Sequence, residues 1–126
     1  MHKVFVYGTL KSGGSVRGID GMQGASIVGK TKTTYPDYQM MDLGAFPGVF
    51  LKGDKFIEGE VWEVTDQVLE NLDAIEGYPD FYKKQMIQTD LGKAIMYYLD
   101  GQFKSIDAQG SDNIEEFDDT QRWLIS

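Results

Sequence analysis

A carboxylate at the end of an amphipathic helix, followed by aromatic residues, is a candidate for proton transfer, and in this chain it is Glu76. Val68, Leu69, Leu72 and Ile75 fall at i, i+1, i+4 and i+7 and make one apolar helix face. Thr65 or Asp66 suits the start, Gly77 suits the position just past the end, and Pro79 forbids continuation. The spacing predicts a helix over roughly Asp66 to Glu76. An anion at that end faces the negative pole of the helix dipole, at a cost of roughly 0.3–1 kcal/mol. Tyr78, Phe81 and Tyr82 offer walls that shield it from water. Burial and the dipole both raise a carboxyl's pKa, which makes Glu76 a candidate general acid/base. The ordinary alternative is an exposed helix-end glutamate.

The second candidate is the Tyr7-Gly8-Thr9-Leu10 turn. A glycine directly after a strand lets a ligand approach the backbone, since no Cβ stands in the way. If the chain turns there, the N–H groups of Thr9 and Leu10 point at an anion such as a carboxylate. A plain strand-ending turn would use the same residues. Glu58 and Glu60 alternate along a strand with Trp62 and so share its face; they read as surface or rim residues. Asp73 lies three residues before Glu76, on a neighbouring helix position. Two acids near one another would permit a glycosidase-type pair, for instance Glu76 with Glu60, but no sugar-binding aromatic pattern accompanies them. Among the seven tyrosines, Tyr82 and Tyr98 are candidates to line a pocket; otherwise buried tyrosines anchor a core and hydrogen-bond a neighbour. Trp62 and Trp123 read as packing residues, with Trp123 pinning the C-terminal segment.

The rest of the composition narrows the chemistry. The chain has no cysteine, which excludes a thiol nucleophile and a disulfide scaffold, and its one histidine is His2, which argues against a Ser-His-Asp triad or a multi-histidine metal site. A proton carrier must then be a carboxylate, a tyrosine or a lysine. The formal net charge of -8 repels nucleic-acid phosphates and anionic membrane surfaces, so neither is an expected partner. No apolar run approaches the ~20 residues that span a bilayer. The opening Met1-His2-Lys3 and the short apolar stretch after it do not make a signal peptide, so a cytoplasmic location is the expectation.

These candidates need a frame, and the 126 residues suit one domain, 1–126, whose last segment, 101–126, is weakly patterned. Strands are expected at Lys3 to Tyr7, Ala25 to Thr34, Tyr38 to Asp42, Gly48 to Lys52, Phe56 to Val64, Phe81 to Thr89 and Lys93 to Leu99. Gly53-Asp54 reads as a tight turn, Asp90-Leu91-Gly92 as another, and the glycine-rich stretch Lys11 to Gly24 as a loop. Asp112 or Asn113 suits the cap of a last helix carrying Ile114, Phe117 and Leu124 on one face, with Glu115 or Glu116 completing a capping box and the acidic run in its first turn. About seven strands and two helices that do not alternate imply α+β, with a largely antiparallel or mixed sheet. Closure into a small barrel would remove exposed strand edges.

Five segments, in order, resemble one family. Val4-Phe5-Val6-Tyr7-Gly8-Thr9-Leu10 is similar to the opening strand and turn of the γ-glutamylcyclotransferase-like, or AIG2-like, proteins. Ile27 to Thr33 and Asp42 to Val49 resemble its middle strands, and Ile57 to Val64 its long central strand. Leu72-Asp73-Ala74-Ile75-Glu76-Gly77-Tyr78-Pro79, followed by Phe81-Tyr82, resembles the segment carrying the family's acid/base glutamate. The resemblance implies a small mixed, mostly antiparallel β-barrel with flanking helices and a pocket at one mouth. It implies that the α-amine of a γ-glutamyl group attacks its own side-chain amide carbonyl, giving 5-oxoproline and a free amine. Glu76 would be the catalytic residue, Tyr7, Gly8, Thr9, Leu10 and Tyr82 would bind substrate, and no cofactor or metal is implied. Family members often carry arginine where Lys84 stands, and the two are not equivalent at a bidentate site. That departure motivates a second reading, a binding module that holds a small anion or a partner protein without turnover. Substrate identity and oligomeric state stay open.

Overall fold

An 18-residue strand, β4 (Pro47–Val64), is the axis of the fold. In the computed structural model, which describes residues 1–8, 25–44, 46–100 and 113–124, it is joined by seven further strands and one helix. Its C-terminal half is flanked on both sides by antiparallel partners. β1 (His2–Val6) runs from His2↔Val64 to Val6↔Glu60, and β2 (Ser26–Lys32) from Ser26↔Glu63 to Lys32↔Glu58. Its N-terminal half pairs with β3 (Tyr38–Asp42). The helix α1 (Asp66–Glu76) follows, then the hairpin β5 (Lys83–Thr89) and β6 (Gly92–Tyr98). β6 docks parallel on β1 at Val4↔Ile95 and Phe5↔Met96. The hairpin β7 (Ile114–Phe117) and β8 (Thr120–Trp123) docks parallel on β4 at Phe56↔Thr120 and Ile57↔Gln121. The path is β5-β6-β1-β4-β8-β7, with β2 and β3 also on β4.

The α+β class and the mixed, mostly antiparallel pairing are those expected, but the sheet does not close into a barrel. Among the described residues β2 and β5 meet only at their ends, through the isolated bridge Thr33↔Thr89 and backbone hydrogen bonds from Thr34 N–H to Gln88 O (3.0 Å) and from Asp90 N–H to Lys32 O (3.1 Å). No ladder forms there.

Three local expectations change. The Gly53-Asp54 turn lies inside β4 as a bulge and not between two strands: while β3 advances from Tyr38 to Gln39 its partner on β4 passes from Lys55 to Phe50, and the missing Cβ of Gly53 lets the Tyr38 carbonyl oxygen approach to 2.3 Å of where that Cβ would stand. The expected last helix is instead the β7–β8 hairpin. Asp118 and Asp119 have φ of 47° and 62°, the left-handed pair that a two-residue hairpin turn requires and that aspartate tolerates. The acidic run then serves cross-strand pairing rather than a helix dipole: Arg122 meets Glu115 and Glu58, and Lys55 meets Glu116 at 3.2 Å. Ile75, expected on the apolar face of α1, is exposed, while Val68 and Leu72 carry the burial. The expectations for Lys11 to Gly24 and for Asp112 fall outside the described residues.

Two core clusters lie on opposite faces of β1, as period-two alternation demands. Val4 and Val6 pack with Trp62, Val64, Tyr82, Tyr97 and the helix residues Val68 and Leu72. Phe5 and Tyr7 pack with Ile57, Val61, Met96 and Trp123, so Trp123 does anchor the C-terminal hairpin. No helix among the described residues is long and apolar enough to cross a membrane.

Candidate functional site

Helix α1 starts and stops by the local rules its sequence carries. The Thr65 hydroxyl accepts from Val68 N–H at 3.2 Å. At the other end Gly77 takes the left-handed conformation (φ 66°, ψ 34°), its N–H reaches Ala74 O, and Tyr78 N–H reaches back to Asp73 O at 2.9 Å. This termination leaves Glu76 as the last helical residue, half-buried where the chain turns back toward the sheet. Burial raises its carboxyl from 4.5 to about 7.

Three tyrosines from different parts of the chain sense the Glu76 charge. Burial is the largest influence on each; it and the neighbouring negative charge raise the hydroxyl pKa of Tyr7, Tyr82 and Tyr97. At Tyr97 the bond to Asp73 adds to this. Each hydroxyl already has an acceptor. Tyr7 donates to the Tyr97 carbonyl oxygen at 2.7 Å, Tyr82 to the Pro47 carbonyl oxygen at 2.6 Å, and Tyr97 to Asp73 Oδ1 at 2.5 Å. The tyrosines therefore wall the carboxyl without spending their protons on it, and among the described residues no hydrogen bond reaches Glu76. A base so placed is desolvated, which suits it to take a proton from a bound molecule.

Gly8 stands at the end of β1, against β4. A Cβ on it would lie 2.8 Å from Pro47 Cγ, so the glycine is required here by the close approach of the proline ring. Phe46, Phe81 and Tyr82 continue the wall as edge-on aromatic pairs with centroids 6.1 and 5.0 Å apart. Tyr7 and Tyr82 thus lie near Glu76 at the end of α1, and Gly8 and Tyr82 both meet Pro47 at the start of β4. Thr9 and Leu10 lie outside the described residues.

Other sequence expectations separate. Glu60 is not a rim residue: it is 2% exposed, and Trp62 Nε1–H donates to its Oε1 at 3.1 Å. Glu58 is partly buried and pairs with Arg122 at 3.2 Å. Tyr98 packs against the second core cluster, on the other face of β6 from Tyr97, so of these two tyrosines it is Tyr97 that lies near Glu76. Sequence reasoning also missed what Asp73 and Lys84 do together. Lys84 Nζ donates to both Asp73 oxygens at 2.9 Å and lies 4.5 Å from the centre of the Tyr78 ring. The signal available in the sequence was a cation on the strand after a helix whose own last turn contains no basic residue.

Comparison with known proteins agrees with this frame. Residues 4–123 match the family described as gamma-glutamyl cyclotransferase, AIG2-like. A Vibrio cholerae protein, provisionally named a gamma-glutamylcyclotransferase, is 38% identical over 96 residues, covering 76% of this chain and 80% of that protein. The gamma-glutamylcyclotransferase family protein YtfP of Escherichia coli is 35% identical over 97 residues, covering 75% of this chain and 80% of its own. The solution structure of the Escherichia coli protein superposes with a TM-score of 0.63 at 30% identity, over 81% of this chain and 86% of that one. The crystal structure of an AIG2-like protein from Mus musculus superposes with a TM-score of 0.71 over 88% and 87% of the two chains, at 23% identity, and so speaks for the fold alone. With residues 4–123 matching the family and relatives at 38% and 35% identity over three quarters of its length, the chain belongs to the AIG2-like gamma-glutamyl cyclotransferase family.

Proposed function

We propose that this protein is a γ-glutamylcyclotransferase that releases 5-oxoproline and a free amine from a γ-glutamyl amine or γ-glutamyl amino acid. The observation that carries the reading is the half-buried Glu76 carboxyl, raised to about 7 and unbonded among the described residues, beside Tyr7 and Tyr82. A substrate enters with its α-ammonium toward Glu76, which takes one proton. The freed amine attacks the γ-carbonyl carbon, forming the ring C–N bond. The C–N bond to the departing amine then breaks as Glu76 returns its proton to that nitrogen, and the ring nitrogen loses its second proton, which leaves to solvent or on the departing amine as its ammonium. The chemistry is an intramolecular acyl transfer in which one carboxyl serves as base and then as acid. Backbone N–H groups of the Gly8-Thr9-Leu10 turn would hold the substrate's anionic groups, and Tyr7 and Tyr82 would shape the wall.

The residues named require no metal or cofactor for these steps, and the reading places the enzyme in the cytoplasm, acting on a small molecule. The negative charge of the chain supports neither nucleic acid nor an anionic membrane as partner. The binding-module alternative drew on Lys84 standing where arginine is common. Lys84 is engaged on Asp73, so the departure does not leave the site open.

The test is to incubate the pure protein with a panel of γ-glutamyl amines, amino acids and γ-glutamyl-capped peptides and to assay 5-oxoproline. Product that is lost in Glu76→Gln, with the fold retained, supports the enzyme. Ligand binding that survives Glu76→Gln, with no product from any member of the panel, returns the binding module.

A further inference from the structure

Lys84 makes its contacts on either side of the candidate base in sequence. Its ammonium donates to both oxygens of Asp73, three residues before Glu76, and sits over the ring of Tyr78, two residues after it. Both groups are only about a quarter exposed, 23% for the lysine side chain and 26% for the aspartate, so the pair is shielded well beyond an ordinary surface ion pair. Tyr97 closes the arrangement by donating its hydroxyl to the same Asp73 carboxylate. Three elements therefore converge on one carboxylate: α1 through Asp73, β5 through Lys84 and β6 through Tyr97. β5 and β6 are themselves locked in register, with Lys84 directly opposite Tyr97.

The last turn of α1 has no basic residue of its own. Lys84 supplies the cation there from a strand, where it also offsets the negative end of the helix dipole next to Glu76. Asp73 cannot itself be the base, because both its oxygens accept from Lys84 and one also accepts from Tyr97. The Tyr97 main chain has a second duty: its carbonyl oxygen accepts from Tyr7, the residue that precedes Gly8. One residue thus ties the helix end to the strand that leads into the proposed cradle.

We infer that Lys84 is a positioning residue, which brackets Glu76 by holding Asp73 and Tyr78, with Tyr97 as the second hold on Asp73. It touches no reacting atom. It keeps the last turn of α1 from moving relative to the β1 end, so that base and substrate amine meet at reaction distance. Displacements of about 1 Å in such a constellation cost up to about 100-fold in rate. The role in turnover rests on the cyclotransferase reading, whereas the bracket itself does not.

Lys84→Met, Lys84→Arg and Tyr97→Phe, each checked for a wild-type melting profile, separate these. Lys84→Met is expected to lower kcat ~10- to 100-fold with KM within about threefold, since positioning is lost and binding is not. Lys84→Arg, which keeps the charge, the donors to Asp73 and the stacking on Tyr78, is expected to recover kcat to within about threefold of wild type. Tyr97→Phe deletes one oxygen and is expected to fall between them, which keeps the test open should Lys84→Met fail to fold. A rise in KM with kcat unchanged would make Lys84 a substrate-binding group and overturn the inference, as would an unchanged kcat in both Lys84→Met and Tyr97→Phe. Amide hydrogen exchange provides a readout independent of turnover: Gly77 and Tyr78 are expected to exchange at least ~10-fold faster in Lys84→Met while β4 and β6 amides hold their wild-type rates. Faster exchange there in a protein whose wild type forms no 5-oxoproline would uphold the bracket and reject the cyclotransferase; unchanged exchange would reject the bracket.

Discussion

The hydroxyl of Tyr7 donates to the carbonyl oxygen of Tyr97 at 2.7 Å, across 90 positions of sequence. β1 and β6 are parallel neighbours through Val4↔Ile95 and Phe5↔Met96, and this bond extends their contact beyond the ladder, next to Gly8. Because Tyr97 also holds Asp73, the bond links the strand carrying the proposed cradle to the helix carrying the base.

Tyr7→Phe tests that link with the least change in shape. The variant is expected to lose about 1 kcal/mol of stability, read from the denaturant midpoint at constant slope. It is expected to lose more in kcat than so small a destabilisation explains. Unchanged kcat would mean that the two halves of the site hold their positions without it.

The pH profile follows from the raised carboxyl of Glu76. As the base that first takes a proton, it must start ionised. Activity, as kcat/KM, is expected to rise with pH through about 7, the value to which burial lifts Glu76, rather than near the 4.5 of an ordinary glutamate. An acid limb near 4.5 would place the titrating carboxyl in water and remove Glu76 as a desolvated base.

Stability carries the same signature with a defined sign. A carboxyl whose folded pKa is raised from 4.5 to about 7 binds its proton more tightly in the folded state. Its favourable contribution is complete below pH 4.5 and is lost as pH rises to about 7. Glu76→Gln stays neutral throughout. The variant is expected to match wild type at pH 4 and to exceed it above pH 7 by an amount on the order of 1–3 kcal/mol. Paired denaturant melts at pH 4 and pH 8 measure the difference, and equal gaps at both values would contradict it.

Gly8→Ala places a methyl 2.8 Å from Pro47 Cγ and 2.9 Å from Pro47 Cδ, closer than real Cβ contacts. The expected cost is about 1–3 kcal/mol of overpacking, with a fall in activity as the end of β1 shifts. The double variant Gly8→Ala, Pro47→Ala is expected to recover most of the stability. Failure to recover would mean that Gly8 is needed for something other than the room the proline ring takes.

The β7–β8 turn offers a check away from the site. Asp118 and Asp119 both hold positive φ, the conformation that Asn-Gly adopts at least cost. Replacing the pair by Asn and Gly is expected to raise the melting temperature slightly without altering turnover. A loss of stability would show that the aspartate side chains matter there, Asp119 lying 3.7 Å from Lys55.

Features governed by neighbours along the chain were legible from the residues alone. Thr65, the spacing of Val68 and Leu72, Gly77 and Pro79 bounded α1 because capping, periodicity and the left-handed C-terminal turn act within a few residues. The same local logic placed Glu76 at the helix end, and the ordered segments from Val4 onward carried the family. Only the tertiary structure decided what depends on distant chain segments approaching each other. Gly53 was legible as a turn residue, but only the approach of β3 made that turn a bulge within β4, where the missing Cβ accommodates the Tyr38 carbonyl. Glu60 looked like a rim residue because alternation names a face without saying what covers it, and the face it shares with Trp62 packs against α1 through Val68 and Leu72. The acidic stretch from Glu115 satisfied a capping pattern, but Arg122 and Lys55 gave it cross-strand and cross-sheet partners, and the hairpin prevailed. Asp73, Lys84 and Tyr97 meet because β5 and β6 pair beside the end of α1. Their contact is a property of the packed sheet, and no spacing within any one segment encodes it.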